Sequence, residues 1–195
     1  MKLYFQFVSK WLVIFFGILF LMISCQSTRD QTSNITEPII NQEILSEEGE
    51  KILVGAITRA GLAGEAYKYW FDEEYQNYNL DTQTLSELQE SINSIEILVF
   101  LGTWCSDSQR ELPHFYKIMD YLGISDSQYN IIALDNHTDR YKKSPQHEEE
   151  GWEIEYVPTF IILQADKEIG RIVEAPMETL EKDLKTILQG ADIVH

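Results

Sequence analysis

An α/β domain is the fold class this sequence predicts, on the strength of three stretches in its second half. Residues 95–101 are almost continuously apolar, and after a short break Leu112, Phe115, Tyr116, Met119 and Leu122 recur at three- and four-residue intervals. A strand covered on both faces needs no polar alternation, and a helix packed on a sheet buries one stripe, so the pattern reads as strand then helix. Residues 129–134 repeat the apolar run and complete a strand–helix–strand unit. Residues 159–164 and 169–174 flank the turn Ala165-Asp166-Lys167-Glu168 and read as an antiparallel hairpin. A closing helix follows over 177–188, with Leu180, Leu184, Ile187 and Leu188 inward and Gly190 as its stop.

The N-terminal part is organised differently. The first 24 residues hold Lys2 and Lys10 and no acid, and residues 11–23 form an apolar run shorter than the ~20 residues a spanning helix needs. A basic start and a short apolar stretch ending in the small Ser24 predict a signal peptide over 1–24. Leu21-Met22-Ile23-Ser24-Cys25 resembles the lipobox of bacterial lipoproteins. That resemblance implies acylation of Cys25 and a lipid-anchored protein of the cell envelope, facing the periplasm or the outer surface. The alternative is an uncleaved anchor in which Cys25 is incidental. Residues 25–43 are polar, without hydrophobic period, and predict a flexible tether.

Residues 44–94 predict a helical extension. Ile52, Leu53, Ala56, Ile57 and Ala60 follow helical spacing up to a break at Gly61 and Gly64. A second helix is dense in aromatics (Tyr67, Tyr69, Trp70, Phe71, Tyr75, Tyr78), which read as a core seam against the neighbouring domain. Asp81 or Thr82 caps a third helix through Leu85, Leu88 and Ile92. The α/β domain itself occupies 95–190. Within it, residues 135–152 are polar, and Ser144-Pro145 offers the start of a short helix.

Charge and cysteine count narrow the function. The chain carries a net charge of −17, and loss of the first 24 residues, with their two lysines, takes it to −19. Such an acidic body excludes nucleic acid as a partner and leaves membrane attachment to acyl chains at Cys25. With Cys25 acylated, Cys105 is the remaining thiol and no internal disulfide forms. His137 and His147, with Glu148, Glu149 and Glu150, lack the tight spacing of a ligand set and read as a solvated acidic loop. No metal and no cofactor is expected.

Two motifs in order carry a family resemblance. Trp104-Cys105-x-x-Ser108, with Pro113 eight residues after the cysteine, resembles the active-site strand and helix of the thioredoxin superfamily. Tyr156-Val157-Pro158-Thr159, running into apolar residues, resembles the segment in which thioredoxins carry a cis-proline beside the reactive sulfur. The resemblance covers 95–190 and implies a thioredoxin-like fold, βαβ plus ββα around a central mixed sheet, with the helical extension added in front.

The same resemblance implies roles. Cys105 is the expected nucleophile, at a helix N-terminus where the dipole favours a thiolate. Asp107 in the first turn opposes that effect, and the Ser108 hydroxyl is expected to offer the sulfur a hydrogen bond. Dithiol members have a second cysteine where this chain has Ser108, so self-resolution of a mixed disulfide is absent and an external thiol is required. The buried acid of many thioredoxins is replaced by Val99. Trp104, Val157, Pro158 and Thr159 are the expected substrate contacts. The expected function is monothiol thiol–disulfide exchange, the reduction or isomerisation of disulfides, with protein or small-molecule thiols and disulfides as partners. The alternative is a redox-inactive thioredoxin-like binding or scaffold lipoprotein. A one-cysteine peroxidase is disfavoured, because Gly102 and Val99 stand where that site has Thr and Pro.

Overall fold

The computed structural model describes residues 39–191. The predicted signal peptide, the predicted acylation site Cys25 and most of the predicted tether lie outside them. Within them the elements are β1 (Gln42–Leu45), β2 (Lys51–Ile57), α1 (Glu65–Asn77), α2 (Thr82–Leu88), β3 (Glu96–Leu101), α3 (Ser106–Leu122), β4 (Tyr129–Ala133), β5 (Thr159–Gln164), β6 (Lys167–Val173) and α4 (Leu180–Leu188). The strand–helix–strand unit and the strand–strand–helix unit stand in the expected order. All six strands join one mixed sheet in the order β1-β2-β4-β3-β5-β6.

β3 runs parallel to β4, with Val99 opposite Ile131, and antiparallel to β5, with Phe100 opposite Thr159. Both neighbours bury it, which is why its sequence shows no polar alternation. The β5–β6 connection is the two-residue turn Ala165-Asp166, both with positive φ (51° and 60°), as a tight hairpin requires.

The helix predicted over 52–60 is instead β2, the second strand of a hairpin with β1, and it pairs with β4 through Gly55 and Ala133. Ile52, Leu53, Val54 and Ile57 are all buried, so the strand is covered on both faces. A run buried on both faces has apolar residues at every spacing, the helical one included, and here its β-branched residues decide for strand. The hairpin therefore belongs to the sheet, and the helical part of the predicted extension is α1, α2 and two short 3-10 turns at Gly61–Ala63 and Ile92–Ser94. Ser144 caps only turns, because His147 and Gly151, with φ of 62° and 86°, interrupt any helix there.

The sheet separates two layers. Ile97, Val99 and Leu101 face one way, into a core with Tyr67, Trp70 and Phe71 of α1, Leu85 of α2, Phe115 and Met119 of α3 and Leu184 of α4. All four helices lie on this face, and the aromatic seam expected of α1 is part of it, although Tyr69 is exposed. Leu98 and Phe100 face the other way with Ile132, Leu134, Val157 and Ile161. Among the described residues no α-helix covers that side. Residues 135–157 cross it instead: Gln146 lies against Gly55 of β2, Trp152 and Ile154 pack on the apolar patch, and the Trp152 carbonyl accepts from Arg171 of β6 at 3.1 Å.

Polar anchors fix the helices. Asp81 caps α2 by accepting from the Thr84 N–H, and Thr179 caps α4 by accepting from the Lys182 N–H. Ahead of α1, Arg59 donates twice to Asp120 of α3, at 2.7 and 3.1 Å, and lies over the rings of Phe71, Tyr75 and Tyr116. The Tyr75 hydroxyl completes the cluster by donating to Asp120 at 2.6 Å.

Candidate functional site

β3 ends at Leu101, and the next four residues turn the chain into α3. The Cys105 N–H donates to the Gly102 carbonyl at 2.9 Å, and the Cys105 carbonyl accepts from Gln109 as the first helical bond. Cys105 is thus the N-cap of α3, in extended backbone, with no side chain capping the first turn. The unpaired N–H groups of that turn favour negative charge at this end of the helix, although none of them donates to Sγ. Pro113 lies inside α3, which begins seven residues before it.

The half-buried sulfur meets a second element. Cys105 Sγ donates to the Val157 carbonyl at 3.2 Å, and the next peptide, Val157–Pro158, is cis. The motifs read from two distant parts of the sequence therefore meet at one point. The Pro158 carbonyl accepts from Glu174 at 2.7 Å, which ties this segment to the end of β6.

The other expected site residues fall into two groups. Trp104 is half-buried, its Nε1 donating to the Leu134 carbonyl at 2.8 Å and its ring 5.6 Å from that of Tyr141. Its indole is held by the end of β4 while one side reaches the surface. Val157 and Pro158 bury their side chains, so the Val157 backbone is the part that faces the sulfur. Thr159 is 2 % exposed and its hydroxyl donates to the Tyr156 carbonyl at 2.7 Å. That side chain shapes the loop and is withdrawn from a ligand. Ser108 departs from expectation too: it is 1 % exposed and its hydroxyl accepts from the Gly102 N–H at 3.2 Å, with no hydrogen bond to Sγ.

Three residues escaped the sequence reading. Gly102 is demanded by Trp104, since a Cβ there would lie 2.5 Å from the indole Cε2. The buried Thr103 accepts from the Leu53 N–H at 3.1 Å, which fastens the turn to β2. Tyr141 flanks Trp104 from the segment 135–157. A glycine closing an apolar run was the one readable sign among them.

Charges near the site are paired. Asp107 meets Arg110 at 2.9 Å, Arg110 meets Glu111 at 2.7 Å, and Glu111 faces His114, which also contacts Glu74 of α1 at 3.2 Å. The Asp107 charge is therefore shared with Arg110 and does not stand alone beside the sulfur. Burial would push the Glu111 carboxyl up, but hydrogen bonds with His114 and Arg110 outweigh it and hold the group below its ordinary value. At the end of β4, burial likewise opposes ionisation of Asp135. Bonds from the His137 N–H, Arg140 and the His137 ring prevail and keep it low. Glu149, expected in a solvated acidic loop, is instead buried and accepts from the Ser144 N–H and hydroxyl.

The rice protein thioredoxin H2-2 (Oryza sativa subsp. japonica) is 24% identical over 100 residues, 51% of this chain and 66% of its own length. Rice thioredoxin H2-1 is 22% identical over 103 residues, 53% of this chain and 67% of its own. The chain thus spans about two thirds of the length of these relatives. A crystal structure of a protein of unknown function from Pseudomonas aeruginosa aligns over 63% of this chain and 72% of its own, with 18% identity and a TM-score of 0.35. A family profile described as thioredoxin matches residues 63–185, well over half of the sequence. With that span containing the Cys105 turn, α3 and the Val157–Pro158 segment, the chain belongs to the thioredoxin family.

Proposed function

We propose that this protein carries out monothiol thiol–disulfide exchange through Cys105, on protein or small-molecule disulfides, while anchored in the cell envelope by acylated Cys25. The observation that carries the reading is the 3.2 Å contact of Cys105 Sγ with the Val157 carbonyl, at the uncapped start of α3. A thiolate there attacks one sulfur of a substrate disulfide. The new S–S bond forms with the sulfur's electron pair, and the departing sulfur leaves with the pair of the broken bond and takes up a proton. Ser108 has no sulfur with which to resolve the mixed disulfide, so release falls to an external thiol. Val157 supplies a backbone edge along which a substrate chain lies, and Trp104 supplies a fixed aromatic wall.

The test is recovery of mixed disulfides from intact cells, comparing the parent with Cys105→Ser. Disulfide-linked species present in the parent and missing from the variant are expected. The same species in both would overturn the exchange reading and leave the groove as a binding surface only. Metabolic labelling with a fatty acid tests the anchor, with the label expected on the parent and lost in Cys25→Ser.

A further inference from the structure

Around the sulfur, the contacts close into a ring. Cys105 touches the Val157 carbonyl, its neighbour Trp104 packs on Tyr141, and the Lys142 ammonium lies 5.2 Å from the ring centres of both Tyr141 and Tyr156. Tyr156 leads back to Val157. Every member of this circuit other than Trp104 and Cys105 comes from the segment 135–157, which crosses the face of the sheet opposite the four α-helices. Tyr141 and Tyr156 are 52% and 49% exposed, so both present an open aromatic surface, one against Trp104 and the other next to Val157 in sequence.

Lys142 is the charged member. In a chain of net charge −17, eight of the twelve lysines and arginines among the described residues form an ion pair, and Lys142 forms none. Its ammonium donates to the Glu155 backbone carbonyl and rests over two rings, contacts that orient it without neutralising it. Its backbone has φ of 57°, and its N–H donates to the Asp135 carbonyl at 2.9 Å, so the loop holds a strained turn where this lysine sits. Lys143, next along, acts electrostatically on the buried Glu149 carboxylate. Lys142 is thus, among the described residues, a cation without an ion-pair partner in a segment that also carries Glu148, Glu149, Glu150, Glu153 and Glu155.

We infer that Lys142, with Tyr141 and Tyr156, forms a specificity subsite beside Cys105 that selects polypeptide disulfides carrying an acidic residue next to the reacting cysteine. The inference rests on the exchange reading above and names the substrate class for it. An oriented cation without a counter-ion favours a carboxylate, and the surrounding aromatic faces weaken water's competition for it. The open, half-exposed rings suit an extended chain laid against the Val157 backbone, which is why the occupant is a polypeptide segment.

The experiment uses the full chain carrying Cys25→Ser, in neutral detergent, so that Cys105 is its sole thiol. The probes are short peptides whose single cysteine is activated as a mixed disulfide with thiopyridine, flanked by Asp or by Asn. Cys105 sulfur bonds to the peptide sulfur, and thiopyridine leaves with the electrons of the broken bond and a proton as the coloured thione. The leaving group is common to both peptides, so the Asp-to-Asn rate ratio cancels the intrinsic reactivity of the thiol. That ratio is expected to exceed one in the parent, to fall about fivefold in Lys142→Met and further in Lys142→Glu, and to be kept in Lys142→Arg. Added salt should lower it in the parent and in Lys142→Arg, and leave it unchanged in Lys142→Met. An unchanged ratio in both Lys142→Met and Lys142→Glu overturns the subsite while leaving exchange standing. Equal dependence on Lys142 for thiopyridine-activated free cysteine overturns the polypeptide assignment in favour of a small carboxylate. No reaction at Cys105 with any probe overturns the exchange reading itself, and the subsite with it.

Discussion

The Thr103 hydroxyl accepts a hydrogen bond from the Leu53 N–H at 3.1 Å, across fifty residues of sequence. Through this one bond, β2 holds the turn that presents Cys105. Both residues are buried, so loss of the acceptor leaves an N–H without water or partner. Thr103→Val should lower stability by about 1–3 kcal/mol in denaturant unfolding, and Thr103→Ser should restore most of it. Equal stability of all three proteins would remove Thr103 as a brace.

Gly102 stands under the Trp104 indole with no room for a methyl group. Gly102→Ala should therefore expel the ring and break its 2.8 Å bond to Leu134. A cost of about 1–3 kcal/mol is expected for such overpacking. The indole N–H resonance assigned to Trp104 should move and gain solvent exchange, and a resonance unchanged in position and protection would contradict the steric account.

Glu111 links pH to stability. Its folded-state carboxyl lies below the ordinary value near 4.5, despite burial, because His114 and Arg110 bond its charged form. A group depressed in the native state contributes stability that is complete above its unfolded value and is lost as pH falls through the folded one. Unfolding free energy should therefore decline on acidification below about pH 5, with a shallower decline in Glu111→Gln. Identical slopes for parent and variant would show that other carboxylates carry the effect.

Arg59 joins the entry to α1 with α3 through two bonds to Asp120 and three aromatic faces. Lysine keeps the charge but lacks the planar fork. Arg59→Lys should cost about 1 kcal/mol by thermal or chemical unfolding, and Arg59→Met more. A lysine variant as stable as the parent would reduce the cluster to simple charge pairing.

The elements legible in the sequence are those whose burial follows one period. α3 and α4 carry their large apolar residues at three- and four-residue spacing, β3 and β4 are short apolar runs between polar boundaries, and the Ala165-Asp166 turn sits between two strand-like segments. β2 was hidden because Ile52, Leu53, Val54 and Ile57 are covered on both faces, which erases the period that separates strand from helix. At the site, Cys105 and the Val157–Pro158 segment were visible as motifs. The partners of Ser108 and Thr103 were not, because a hydroxyl's target depends on a backbone group distant in sequence. Lys142 and His147, with positive φ on non-glycine residues, left no local signal of the turns they make.

Among the described residues, all four α-helices lie on one side of the sheet, and a largely irregular strap is what covers the hydrocarbon on the other. Because that strap also delivers the carbonyl that holds the sulfur, water reaching Phe100 and Ile161 and the thiol losing its acceptor are a single event. Segments without regular structure open at lower free energy than packed helices. Opening of the strap would therefore uncover the interior and Cys105 together, and whatever clamps it would hold both closed.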